Sequence, residues 1–168
     1  IWGYVVSLYF MSNRDLDEEN FCAFLDRAMA MILMNSILAW GKSNIRRPFV
    51  VEFKDIYRGE PLEFDEQFKR HENIVRGRLA ETKFTSGRIV LTRAMLAWLI
   101  FKNPAQELPP LGAVLQVEHI YAKKRHELHP LKNPDALEFL GNKSLLEKSI
   151  NIRAADYRLA DKKNFYRK

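Results

Sequence analysis

The sequence predicts an α+β chain that is predominantly helical, with a small strand–loop–strand–helix unit at its C-terminal end. Three observations lead there. Apolar residues recur at helical spacing through most of residues 1–102. Residues 103–112, Asn103 to Gly112, then gather three prolines and a glycine and break the pattern. Beyond them, the apolar run from Ala113 to Ile120 reads as a strand. The expected division is therefore a helical region over 1–102, a boundary loop over 103–112, and a smaller unit over 113–168.

The helices follow in order. Asp17, Glu18 and Glu19 form an acidic first turn. Phe21, Leu25, Ala28, Met29, Ile32 and Leu33 continue it at helical spacing toward the stop at Gly41. The Met-rich stretch Ala28 to Met34 reads as core packing. A second helix is expected after Pro48, with Phe49, Phe53 and Ile56, ending at Gly59. Asp65 to Ala80 reads as a polar helix containing His71, a surface residue. Arg88 to Phe101 is apolar nearly all round and reads as a buried helix. About five helices in a bundle-like array are expected, with no catalytic motif among them.

After the first strand, a polar basic loop runs from Tyr121 to about Leu137. Gly141-Asn142 then turns into a second strand, Lys143 to Glu147. Ser149 is a plausible cap for a last helix running from Ile150 to about Leu159.

The chain has 168 residues, with 47% hydrophobic and 12% aromatic content, enough for a real core. Its longest apolar run, starting at Ala28, falls short of the roughly 20 residues a bilayer span needs, so no membrane partner is expected. The single cysteine, Cys22, cannot form an internal disulfide; it reads as a core residue and fits a reducing, cytoplasmic setting. The opening Ile1-Trp2-Gly3-Tyr4-Val5-Val6 has no basic leader and reads as the interior of a longer chain rather than a signal peptide. Of the net +6 charge, residues 1–110 carry 15 basic and 14 acidic side chains, and residues 111–168 carry 12 basic and 7 acidic. Three of the four histidines lie in that last third. A basic surface around them suggests a polyanionic substrate.

The residues that carry chemistry are Glu118-His119 at the end of the first strand, Asn142 at the start of the second, and Asn151 in the helix behind them. Hydrolysing a phosphodiester needs an activated water and neutralisation of developing charge. Histidine, with an ordinary pKa near 6.5, is the natural base. A divalent cation held by oxygens supplies the rest, and magnesium keeps several waters, so two protein ligands suffice. Glu118 offers a carboxylate and Asn151 an amide oxygen. Asn142 could fix the ring of His119. Glu118 and His119 would leave a regular strand on opposite faces, so this reading expects a twist or bulge there.

This set resembles an HNH endonuclease of the ββα-metal fold. More closely, it resembles the C-terminal nuclease domains of GmrSD-type modification-dependent (type IV) restriction enzymes. The residues that carry the likeness are Val117-Glu118-His119-Ile120, then Leu140-Gly141-Asn142-Lys143-Ser144-Leu145-Leu146, then Asn151, then Asp161-Lys162-Lys163-Asn164-Phe165-Tyr166. They span about residues 113–168. The resemblance implies a helical array followed by a ββα-metal motif. It implies His119 as general base, Asn142 orienting it, and Glu118 and Asn151 holding one Mg2+ or Mn2+. Lys162 or Lys163 would contact DNA phosphate or the transition state. Lys123, Lys124, Arg125, Arg153 and Lys163 are the candidate nucleic-acid contacts. Two departures stand out: Lys143 replaces an apolar residue and is expected to tilt out of the small core, and Tyr121-Ala122-Lys123 replaces Pro-Gln after the histidine motif.

The implied function is metal-dependent DNA cleavage in phage defence, on DNA with or without modified bases. The nucleotide-hydrolysing sensor of such systems is missing, since its Asp-Gly-Gln-Gln-Arg-type motif is absent. The rival is a module of the same fold that binds nucleic acid without cutting it. A zinc site on His119, His126 and His129 is disfavoured by loose spacing and the lack of a nearby cysteine.

Overall fold

A computed structural model describes every residue except Arg14, Trp40, Leu111, Ala155, Asp156, Arg158, Arg167 and Lys168, and gives the backbone but not the side chains of Lys42, Ala154, Leu159, Asn164, Phe165 and Tyr166. The chain is mostly helical with one small antiparallel sheet, an α+β architecture. It divides into two compact units, residues 1–80 and 81–168.

The first unit holds α1 (Trp2–Ser12), α2 (Glu18–Leu38), α3 (Lys42–Arg58) and α4 (Phe64–Glu81, whose last residue belongs to the second unit). Asp17 caps α2 by accepting from the Asn20 backbone N–H at 2.7 Å, with Glu18 and Glu19 in the first turn, as the acidic start predicts. The core gathers Val5, Phe24, Ala28, Met31, Met34, Phe49, Ile56 and Phe64. Tyr9 stacks on Phe24, ring centroids 3.7 Å apart and nearly parallel. Phe24 in turn meets Phe64 at 6.0 Å. Burying Phe49 and Phe64 completely contributes about 2 kcal/mol or more each. The outward faces of α1 and α3 leave Trp2, Tyr4, Val50 and Tyr57 exposed.

Three expectations change here. α3 begins at Lys42 and runs through Pro48, rather than starting after it. The proline costs the helix one hydrogen bond to the Asn44 carbonyl, and the buried Phe49 and Ile56 outweigh that cost. The helix still ends at Gly59, whose φ of 71° needs a glycine or a similarly permissive residue. Cys22 is exposed, because it falls on the outer side of α2 while Phe24 and Ala28 take the core side. α2 has 21 residues, and an 18-residue stretch of it has a mean hydropathy of 1.5, so it is long and apolar enough to cross a membrane by length and composition, although the apolar run within it looked too short.

The second unit holds α5 (Ile89–Lys102), β1 (Leu115–His119), α6 (Lys123–Leu128), β2 (Lys143–Glu147), α7 (Lys148–Ala154) and α8 (Leu159–Tyr166). Two 3-10 turns, Pro134–Glu138 and Leu140–Asn142, lead into β2. β1 and β2 pair antiparallel, from Leu115 opposite Glu147 to His119 opposite Lys143. The pairing is extended at both ends by Ile120 N–H to the Asn142 carbonyl and Lys148 N–H to the Val114 carbonyl, each 2.9 Å. α7 packs on both strands, and so does α5. Because α5 packs there, the compact division lies after residue 80, ahead of the proline-rich loop that marks the change in composition.

Differences appear here too. α5 is not buried all round: Leu91, Thr92 and Leu96 are buried, while Val90, Leu99 and Phe101 are exposed. A two-stranded sheet is too small to cover a whole helix. The expected loop 121–137 contains α6 and most of a 3-10 turn. Ser149 lies inside α7, which follows β2 without a break, and Leu159 starts α8 rather than ending the preceding helix.

Glu52, fully buried in the first unit, accepts from the Glu63 backbone N–H at 3.3 Å and from Gln67 Nε2 at 3.5 Å. Burial, reinforced by the nearby Asp55 and Glu63 charges and opposed by the Glu63 hydrogen bond, pushes its pKa up to about 7 from 4.5. A raised carboxyl favours folding below its unfolded value and costs stability as pH climbs through the interval. Thermal melts between pH 4.5 and 8 should therefore show stability falling between about pH 4.5 and 7 by on the order of 3 kcal/mol and levelling off above that. Glu52→Gln should flatten that dependence; an unchanged slope in the variant would refute the assignment.

Candidate functional site

β1 carries its chemistry on two faces. The regular register through His119 puts Gln116 and Glu118 on one face and Val117 and His119 on the other. The register is regular with no bulge through His119, so Glu118 and His119 leave the strand on opposite faces.

On the first face, Lys162 of α8 is fully buried and its ammonium donates to Glu118 Oε1. It also donates to the His119 carbonyl at 3.0 Å, binding the strand end from behind. Sequence reasoning placed Lys162 or Lys163 on a phosphate; Lys162 is sealed inside, and Lys163 is the exposed one of the two. Beside this pair, Asn151 of α7 donates its Nδ2 to Gln116 Oε1 at 3.0 Å. Its Oδ1 is buried and has no hydrogen-bond partner among the described residues.

The second face is built around His119. Lys143, its cross-strand neighbour, is buried with Nζ 2.5 Å from His119 Nε2. The same ammonium meets Glu138 Oε2 at 2.5 Å. Glu138 Oε2 stands 3.5 Å from His119 Nε2, and Lys123 closes the cluster at 3.0 Å from Oε1. The expected outward tilt of Lys143 does not occur. The strand pleat directs it inward, and Glu138 compensates its buried charge. Burial pushes Glu138 up, but hydrogen bonds from Lys143 and Lys123 outweigh that and hold it at about 2. Burial, followed by the Lys143 charge, pulls His119 below its ordinary value despite the opposing carboxylate. The imidazole is therefore neutral at pH 7, and its side chain is 19% exposed.

Asn142 spends its side-chain hydrogen bonds on backbone groups rather than on the imidazole. Its Oδ1 accepts from the Tyr121 N–H at 2.6 Å, and its Nδ2 donates to the Tyr121 and Leu137 carbonyls at 3.2 and 3.0 Å. It clamps the chain two residues beyond His119 instead. Glu138 is held in turn by its own backbone, whose carbonyl accepts from the buried Phe84 at 2.7 Å.

The basic candidates are spread more widely. Lys123 and Lys124 open α6, and Arg125 is half-buried with its Nε enclosed and unpartnered among the described residues. Arg153 is exposed near the end of α7. His126 accepts from the Leu131 N–H at 3.1 Å, so it serves the loop fold rather than a zinc site. The side chains of Phe165 and Tyr166 lie outside the described residues. Gln116, Glu138 and the inward role of Lys143 were missed from sequence. For Gln116 and Lys143 a signal existed: Gln116 stands two positions before Glu118, and Lys143 opens a strand at a position expected to face the core.

A divalent cation fits the first face in donor type. Glu118 offers an anionic oxygen and Asn151 a buried oxygen with no partner, both suited to a hard ion. Among the described residues no three His, Cys, Asp or Glu side chains converge as metal ligands, so water would supply most of the shell. Lys162 already rests on Glu118 and would compete with it.

No protein-family model, no curated protein and no solved structure matches this chain.

Two stability effects follow. Asn142→Ala removes three hydrogen bonds and strands backbone groups of Tyr121 and Leu137, costing about 3 kcal/mol in urea denaturation. Lys162→Met leaves the Glu118 carboxylate enclosed without its cation, costing about 3 kcal/mol, and part of that loss should be recovered on adding Mg2+. No recovery would show that Lys162 and a cation do not share Glu118.

Proposed function

We propose that the second unit is a divalent-metal-dependent DNA endonuclease module on the ββα-metal (HNH) plan, with His119 as its general base. The observation that carries this reading is the end of β1. There a neutral, partly exposed imidazole follows directly on a carboxylate that already rests on a buried cation. The order β1, β2, α7, with α7 across both strands, supports it. So does the clamp from Asn142 onto Tyr121, which steadies the strand end.

In this reading His119 accepts the proton of the attacking water at Nε2, the nitrogen that bears the lone pair while the Lys143 ammonium donates to it, once that ammonium turns to Glu138 alone. Glu118 and Asn151 hold one Mg2+ or Mn2+. When bound, the ion neutralises the phosphate and the leaving oxygen. Because the two side chains diverge, the phosphodiester would lie across the strand end, with the water on the side of His119. Glu138 and Lys143 hold the ring from its Nε2 edge. Lys123, Lys124, Arg125, Arg153 and Lys163 add the positive field that draws in a polyanion. Restriction of phage DNA in the cytoplasm, with or without modified bases and beside a nucleotide-hydrolysing sensor, is the setting the resemblance implies.

A module that binds nucleic acid without cutting it is the second reading. It is favoured by one specific observation: buried lysines already engage both Glu118 and His119.

Supercoiled plasmid incubated with the whole chain should be nicked in Mg2+ or Mn2+ and stay intact in EDTA. His119→Ala should lower the rate about 100-fold or more. DNA retention in a gel without nicking under any metal would favour the binding module, and nicking that survives His119→Ala would remove the assigned base.

A further inference from the structure

An asparagine side chain has two nearly identical ends. One donates hydrogen bonds, and the other accepts them and can meet a cation. For Asn151 to serve a hard ion its oxygen must face the ion, so something must hold the amide by its nitrogen. Gln116 Oε1 accepts from Asn151 Nδ2 at 3.0 Å. The same contact leaves Oδ1 buried and unpaired among the described residues. An enclosed acceptor without a partner costs free energy, and a bound cation would recover it. Gln116 pairs with Leu146 and Glu118 with Ser144, so both side chains leave β1 on the face that Asn151 occupies. The strand alternation thus sets the carboxylate and the amide holder two residues apart on one short element.

The geometry points to Gln116 as a positioning residue for a divalent-cation site: it turns the Asn151 amide so that its oxygen, not its nitrogen, is presented for metal binding. This rests on the metal assignment of the proposed function and deepens it. Gln116 itself donates nothing to the ion. What matters is that it offers an acceptor. A glutamate there keeps the acceptor, whereas leucine or methionine removes it and frees the amide to rotate. Residues that orient metal ligands in this way typically change affinity about 10- to 100-fold.

Mn2+ binding to the whole chain, read by the paramagnetic resonance signal of free Mn2+, tests this without relying on activity. Gln116→Leu should weaken binding about 10-fold or more, while Gln116→Glu should bind no more weakly than the parent. Gln116→Met, nearly the same length as glutamine, replaces the leucine variant if thermal melts show that one unfolded. Parent-like affinity in the folded apolar variants would overturn the role of Gln116 and leave the nuclease reading intact. Weakening by Gln116→Glu as well would also overturn it, since packing rather than acceptance would then matter. A parent chain that neither takes up Mn2+ nor nicks plasmid would overturn both readings together.

Discussion

Everything at the candidate site depends on the register of one five-residue strand pair. With His119 opposite Lys143 and Glu118 opposite Ser144, the pleat sends the acid and the imidazole to opposite faces. A slip of one residue would exchange them and bury the wrong set. The register is secured beyond the ladder itself by Asn142, which holds both backbone groups of Tyr121, and by Lys162, which holds the His119 carbonyl from the other side.

The two faces solve the same electrostatic problem in different ways. A carboxylate withdrawn from water needs a cation, and a buried lysine serves each of the two half-buried acids at this site, Lys162 for Glu118 and Lys143 for Glu138. On the Glu118 face the pairing leaves one buried amide oxygen unsatisfied beside Gln116. On the His119 face the cluster is closed, and its net effect is to keep the imidazole neutral. A neutral imidazole and a set of oxygen donors thus stand on opposite faces of one strand end. Each is also held by a lysine that substrate or metal must work around.

The first unit has a different economy. Its helices are organised by aromatic packing, Tyr9 on Phe24 and Phe24 against Phe64, with the buried acids Glu52 and Asp55 among them. Its helix caps were readable because capping is local: Asp17 needs only the next three residues, and Gly59 needs only its own backbone freedom. The start of α3 was not readable. Pro48 is a local signal to stop, whereas the burial of Phe49 and Ile56 that carries the helix through it comes from contacts distant in sequence.

By itself the sequence determined the helical character of residues 1–102, the two strands, the turn at Gly141-Asn142, and the concentration of basic residues and histidines beyond residue 110. These follow from periodicity, turn chemistry and composition, which act over a few neighbouring residues. It also brought together the candidate residues Glu118, His119, Asn142 and Asn151. Only the tertiary structure decided what each of them touches. It turned Lys143 inward, gave Lys162 to Glu118 rather than to solvent, moved Asn142 from the imidazole to the Tyr121 backbone, and brought Glu138 and Gln116 into the site. The reason is that a buried charge or amide takes whichever complementary group the fold brings within about 3 Å. These partners lie 5 to 44 residues away along the chain, a separation that no local pattern encodes.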